Sequence, residues 1–325
     1  MDAGLDPVPG PICPVGPICA KLPPMPEALS SPTPASLAAL PATETPSGKG
    51  AGDENFPVGS WLLPKRLRPH VALFYAFARA IDDIADNPAL APEEKVRRLD
   101  GFEAAITGRG QADPAFVKAH RLRQSLLETG VPARHCVDLI AAFKRDATHL
   151  RYRSWDELID GYCMLSAAPV GRYLLDLHGE SAADYPPSDA LCNALQVINH
   201  LQDCQADYRN LDRVYLPLDW MAEAGVTVET LAASRTSPGL RRVLDRCLDG
   251  VEDLLVEARK LPPRMRSRRL ACESAAILAL AERLTRMLRR QDPLAERVAL
   301  GKRAALLVAA SGVAKALAMG RRPAA

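Results

Sequence analysis

The chain has 325 residues, 48% of them hydrophobic, with 41 basic and 39 acidic side chains for a formal charge of +2. That is enough apolar material for one sizeable core, and the near-neutral balance supplies no global field to recruit nucleic acid, so no such partner is expected. The eight cysteines, at 13, 19, 136, 163, 192, 204, 247 and 272, include no CxxC pair. They read as buried thiols in a reducing cytoplasm rather than as zinc ligands or disulfides. No basic patch followed by an apolar stretch opens the sequence, so no secretory signal is expected. The longest apolar run, Ala304 to Ala314, is bounded by Arg303 and Lys315 and is too short to span a bilayer. The sequence therefore reads as soluble and cytoplasmic, or at most peripheral to the inner membrane.

Residues 1–50 hold 12 of the 28 prolines and show no periodicity. They predict a disordered leader ahead of one domain spanning 51–320. From residue 57 onward apolar residues recur at i, i+3, i+4 and i+7 and strand-like alternation is absent, which predicts an all-α domain. The expected helices cover 63–86, 92–107, 114–129, 133–150, 154–168, 170–179, 187–210, 217–223, 236–260, 267–290 and 293–318. Pro88 and Gly179 are stop signals, and Pro169 should break the chain between Tyr162 and Leu174.

Two helices carry polar ridges. Tyr75, Arg79, Asp82 and Asp86 follow at spacings of four, three and four, so they share one face, whereas Asp83 lies about 100° away. The bland alternative is a solvated face with an Arg79–Asp82 ion pair, which the apolar neighbours Leu73, Phe74, Phe77 and Ile81 oppose. On the second helix, Gln196, Asn199, Asp203 and Asp207 fall at spacings of three, four and four among Leu195, Val197, Ile198 and Leu201. Such groups on a buried face are costly unless something satisfies them. Carboxylates and amides are hard oxygen ligands suited to Mg²⁺, which takes one or two carboxylates together with phosphate oxygens.

Other metal readings fit less well. No Glu-x-x-His pair occurs, Asp146 to His149 being the nearest analogue, and the EF-hand spacing from Asp82 to Glu94 lacks its glycine. Neither GxxxxGK[ST] nor GxGxxG is present. Two acidic faces acting on a diphosphate through Mg²⁺ remain the best account. Positive charge at a departing diphosphate lowers the barrier to ionising the carbon–oxygen bond, and the resulting cation would rearrange in an apolar pocket.

An ordered set of motifs accompanies these ridges: Glu54-Asn55-Phe56-Pro57-Val58, Leu62-Leu63-Pro64, Phe74 to Arg79 running into Asp82-Asp83-Ile84-Ala85-Asp86, Tyr162 ahead of Pro169-Val170-Gly171, the Gln196 to Asp207 face, and Asp212-Arg213-Val214-Tyr215-Leu216-Pro217. In these the chain resembles the squalene and phytoene synthases, head-to-head prenyl synthases, over roughly residues 50 to 315. The resemblance implies an all-α isoprenoid synthase bundle with a central active-site cavity. It implies that Asp82, Asp86, Asn199, Asp203 and Asp207 hold Mg²⁺ and diphosphate, that Arg79, Arg213 and Tyr215 contact diphosphate, and that Phe56, Tyr75 and Gln196 line the prenyl pocket. Tyr162 would be a polar or proton-handling group near the cation, in a catalytic set with Arg79, Asp82 and Asp86; its bland alternative is a core tyrosine with a satisfied hydroxyl.

Within the family, Asn199-His200-Leu201-Gln202-Asp203-Cys204 and the Glu54 to Val58 motif are most similar to a bacterial branch of hopanoid biosynthesis. That resemblance implies a carbon–oxygen lyase converting presqualene diphosphate and water to hydroxysqualene and diphosphate. A presqualene diphosphate synthase would supply the substrate and a flavin-dependent reductase would consume the product. Two positions depart from many relatives: Gln202 stands where they carry arginine, and no tyrosine follows Tyr215. Gln202 thus points to a substrate with a single diphosphate. The rivals are a presqualene diphosphate, squalene or phytoene synthase condensing two prenyl diphosphates, and a non-catalytic helical partner subunit. Outside the motifs, Arg264, Arg266, Arg268 and Arg269 read as a solvated face or helix start, Lys65, Arg66 and Arg68 as within reach of phosphate, and Leu306, Leu307 and Val308 as core.

Overall fold

The computed structural model describes residues 63–109 and 113–318; Phe56 and the leader lie outside the described residues. Helix α1 (Arg68–Ala85) has Pro69 in its first turn, where the missing N–H is harmless, and buries Phe74, Phe77, Ile81 and Ile84 along one stripe. It starts later than the expected residue 63 because the segment before it is a turn, closed by Leu67 N–H donating to the Pro64 carbonyl at 2.9 Å. Helix α2 (Pro92–Thr107) and helix α3 (Val117–Thr129) end on Gly108 and Gly130, at φ 74° and 73°. With α4 (Arg134–Thr148) they enclose a first apolar cluster that includes Phe77, Phe102, Leu122 and Phe143.

The expected helix 154–168 is instead three pieces. Helix α5 (Trp155–Leu158) passes into a π-helical segment, Ile159–Cys163, and then into the short α6 (Met164–Ser166). The break falls at Ala167, and α7 (Ala168–His178) resumes with Pro169 in its first turn, so the proline interrupts the chain as expected. Tyr173 of α7 stacks on Phe74 of α1, ring centroids 3.9 Å apart.

Helix α8 (Tyr185–Leu211) is 27 residues long and is buried continuously from Pro187 to Leu201. It packs against α7, α10 (Pro238–Ala258) and α11 (Arg268–Leu288), forming a second and larger apolar cluster. The short α9 (Leu218–Glu223) lies against α10. Ser237 and Ser267 cap α10 and α11 by accepting from the backbone N–H groups of Leu240 and Leu270.

The last helix, α12 (Lys302–Ala318), is shorter than the expected 293–318. Asp292 stops the chain there: its carboxylate accepts from the N–H groups of Thr236 and Leu294, a local turn that Pro293 favours. α12 lies on α11 through Ala305, Ala309 and Gly312, and a Cβ at Gly312 would collide with the Ala275 carbonyl. Val308 packs against the core as expected, but Leu306 and Leu307 do not; they are 61% and 72% exposed, since the small residues turn the opposite face inward. Among the described residues there is no strand, and no helix is long and apolar enough to cross a membrane.

Candidate active site

Helices α1 and α8 belong to different apolar clusters, and the acidic end of α1 at Asp86 comes near that of α8, where Arg213 pairs with it and its charge is felt at Asp207. On α1, Asp82 is 1% exposed and Tyr75 is half-buried. Arg79 places Nη1 3.7 Å from Asp82 and Nε 3.0 Å from Asp83. Asp83 therefore shares the Arg79 guanidinium rather than standing apart, because it sits one helical turn beyond Arg79 at i+4. Asp86 is the C-cap of α1.

On α8, Asn199, Asp203 and Asp207 line one cleft together with His200, Leu211, Arg213 and Tyr215. Burial, with the Asp203 and Asp86 charges, pushes the Asp207 carboxyl well above its usual range against the opposing pull of Arg213. Gln196 is buried one turn away, its Nε2 3.4 Å from His200 Nε2. Gln202 turns aside and donates to the Val298 carbonyl, tethering the segment ahead of α12.

Arg213 joins the two helices. α8 ends at Asp212, which adopts φ 52°, the one positive value for a non-glycine among the described residues, and this turn sends Arg213 back into the protein. Arg213 is 3% exposed and donates from Nη1 to Asp86 Oδ1 at 2.6 Å, from Nη2 to the Ala85 carbonyl at 3.0 Å and from Nε to the Asp146 carbonyl at 3.2 Å. Where the family resemblance implies a diphosphate contact, the structure gives Arg213 an ion-pair partner in Asp86.

Asp146 of α4 is the member of this site that its sequence motifs do not announce. Its buried carboxylate accepts from Tyr162 Oη at 2.6 Å and from Tyr215 Oη at 2.8 Å. The π turn at 159–163 carries Tyr162, and such turns often re-aim a side chain at a functional site. Tyr162 is wholly buried, with its hydroxyl satisfied by Asp146. Tyr152, Tyr162, Tyr215 and His200 pack as an aromatic wall, His200 stacked on Tyr215 at 3.7 Å. Burial pushes the Tyr162 and Tyr215 hydroxyls well above their usual range and His200 down to about 3, so the phenols keep their protons and the imidazole is neutral at pH 7. Asp146 is also raised by burial, against Arg213 and the two tyrosines, which favour its ionised form.

A second cavity continues the same side of α8 toward its N-terminus. Leu191 and Leu195 of α8, Leu174 and Leu175 of α7, and Leu270 and Ile277 of α11 form its apolar wall. Gly171 admits the close approach of α7 to α8: a Cβ there would collide with the Ser188 and Cys192 side chains. All six described cysteines are buried thiols, as expected.

Among the described residues no three His, Cys, Asp or Glu side chains gather into a ready-made metal cluster. The donor chemistry nonetheless suits a hard cation: an amide and two carboxylates at successive turns face one cleft, and Asp86 is linked to that cleft through Arg213.

The squalene/phytoene synthase family model matches residues 50–304, and the chain belongs to that family. Within it, the chain is 48% identical over 259 residues to the hydroxysqualene synthase of Rhodopseudomonas palustris, covering 80% of this chain and 87% of that protein. It is 42% identical over 278 residues to the hydroxysqualene synthase of Zymomonas mobilis, covering 84% and 92%. The crystal structure of squalene synthase HpnC from Alicyclobacillus acidocaldarius matches with a TM-score of 0.63 at 33% identity, covering 71% of this chain and 86% of that one. A dehydrosqualene synthase structure, at 23% identity and a TM-score of 0.67, shares the fold, which is the all-α isoprenoid synthase fold.

Proposed function

We propose that the protein is a Mg²⁺-dependent hydroxysqualene synthase, a carbon–oxygen lyase converting presqualene diphosphate and water to hydroxysqualene and diphosphate. The observation that carries this is one face of α8 running from an apolar cavity, at Leu191 and Leu195, into a polar cleft, at Asn199, Asp203 and Asp207. The lining of the first part suits a hydrocarbon chain, and that of the second suits a diphosphate with its cation. The similarity to two enzymes named hydroxysqualene synthase supports the choice of reaction. Asn199, Asp203 and Asp207, with Asp82 and Asp86 from α1, would hold the metal. When bound, Mg²⁺ supplies the positive charge that stabilises a departing diphosphate.

The chain's own residues do the rest. Arg213 holds Asp86 in place from the far side of the cleft, and Arg79 steadies Asp82 and Asp83. Asp146 fixes Tyr162 and Tyr215 as protonated hydroxyls that neither quench a cation as phenolates nor rotate away. The apolar wall excludes bulk water.

We extend the reading to the setting of the enzyme: a presqualene diphosphate synthase supplies the substrate and a flavin-dependent reductase consumes the alcohol. Contact with an anionic membrane surface is part of this proposal, and the composition of α12 supports it. Leu306, Leu307 and Leu317 are exposed on a helix that has Lys302, Arg303 and Lys315 and no acidic residue.

The deciding experiment is mass spectrometry of products from presqualene diphosphate with Mg²⁺ in heavy-oxygen water. Label in a C30 alcohol is the expected result, and an unlabelled hydrocarbon as sole product would refute the reaction. Farnesyl diphosphate alone should give little C30 product; turnover as fast as on presqualene diphosphate would favour a condensing synthase instead. If Asp82→Asn with Asp203→Asn leaves activity at the parent's level, the acidic faces are not the site.

A further inference from the structure

One stripe of α11 breaks its own pattern. Leu270, Glu273 and Ile277 follow at spacings of three and four, and all three line the cavity between α7, α8 and α11. Glu273 is 2% exposed, and its Oε2 has no hydrogen-bond partner. Burial alone pushes its carboxyl up to about 8. A leucine at this position would complete the apolar wall without stranding a polar oxygen, so the carboxyl calls for a ligand group that hydrogen-bonds to it.

The cavity and the polar cleft lie on successive turns of α8: Ser188, Cys192 and Leu195 line the first, and Asn199, Asp203 and Asp207 line the second. In the proposed reaction everything that enters the cavity is hydrocarbon except one water molecule. A buried water needs two to four polar partners, and Glu273 shares this wall with two further polar residues, Ser188 and Ser274.

We propose that Glu273 holds the water that captures the carbocation and accepts its proton, so that turnover ends in an alcohol rather than an alkene; this rests on the hydroxysqualene synthase reading. In the step, a lone pair of the water oxygen forms the new bond to the cationic carbon. One O–H bond breaks, its electron pair stays on oxygen, and the proton passes to the Glu273 carboxylate. The carboxyl returns that proton to solvent when the product leaves, and no oxidant or reductant takes part. With its carboxyl pushed up to about 8, Glu273 is mostly protonated at pH 7 in the empty cavity, and the positive charge of the cation favours the carboxylate that takes the proton.

The test compares the parent with Glu273→Gln and Glu273→Leu on presqualene diphosphate and Mg²⁺ in heavy-oxygen water, with released diphosphate and C30 products measured separately. Both variants should release diphosphate within about 3-fold of the parent, while the labelled alcohol fraction falls at least ~10-fold and a C30 hydrocarbon formed by proton loss replaces it. Circular dichroism melts establish folding, and the near-isosteric glutamine variant carries the test if the leucine variant is unstable. An unchanged alcohol fraction overturns the proposal, as does an equal fall in diphosphate release and alcohol with the product ratio intact. If the parent releases no diphosphate from presqualene diphosphate, the reaction itself is wrong and the role of Glu273 goes with it. A failure confined to the product ratio removes only the role of Glu273.

Discussion

Replacing Asp146 by alanine removes the one acceptor shared by Tyr162 and Tyr215, at 2.6 and 2.8 Å. Neither phenol can turn to water instead, since Tyr162 is 0% and Tyr215 6% exposed. A buried donor left without a partner costs about 1–3 kcal/mol, so two such donors set a gross penalty of roughly 2–6 kcal/mol. Part of that is returned, because the variant no longer buries the carboxyl that burial itself disfavours. The net loss should be about 2–4 kcal/mol, which for a domain of this size lowers the melting temperature by roughly 5–12 °C. Melting followed by circular dichroism measures it. Tyr162→Phe and Tyr215→Phe should each cost only about 1 kcal/mol, since the rings still pack. Once both tyrosines are phenylalanines, Asp146→Ala should cost much less than it does in the parent, because no donor is then stranded. A melt within about 2 °C of the parent for Asp146→Ala, or an identical loss in both backgrounds, would refute the reasoning.

Other expectations follow from the same geometry. Glu273, pushed by burial from an ordinary 4.5 up to about 8, is protonated in the folded chain and ionised in the unfolded chain between those values. Folding then takes up a proton, so stability falls as pH rises through that window, by on the order of 5 kcal/mol in all, and Glu273→Gln should remove that slope in urea midpoints taken from about pH 5 to 9. Parallel midpoint curves for parent and variant would sink this account. Arg213→Met strands Asp86 and the carbonyls of Ala85 and Asp146, and should lower stability in urea by about 3–5 kcal/mol; a change under about 1 kcal/mol would count against the bridging role. Serine at Leu306, Leu307 and Leu317 should leave the melt nearly unchanged but reduce sedimentation with phosphatidylglycerol vesicles at least ~5-fold, and binding that survives the substitutions would argue against the membrane face.

The two polar ridges are legible in sequence because their side chains recur every three or four residues on single helices. Asp146 is harder to find: its partners lie 16 and 69 residues away in sequence. A signal is present, since Asp146 continues the buried positions Leu139, Ala142 and Phe143 of α4, where a carboxylate is out of place. Glu273 gives the same signal between Leu270 and Ile277. The angle between Asp83 and Asp82 hides the part Asp83 plays, which its i+4 relation to Arg79 reveals. The π turn under Tyr162 has no periodicity of its own to betray it, and the hydrogen bond it delivers to Asp146 spans 16 residues. Residues 293–301 carry a helical apolar pattern, yet the side chain of Asp292 competes successfully for the local backbone.

The position of Arg213 has an electrostatic consequence for anything that enters the cleft. Its backbone acceptors are the last carbonyl of α1, at Ala85, and one of the last four carbonyls of α4, at Asp146, and it sits just past the end of α8. Three helices thus turn their C-termini, the negative poles of their macrodipoles, toward one guanidinium. A site meant for anions alone would be built from N-termini. This one has the reverse polarity, deepened by the aspartates of α1 and α8, and a single arginine does not offset it. In the proposed function an anion would settle there in the company of added positive charge, and the direction in which the helices run would favour the cation–anion pair over the bare anion.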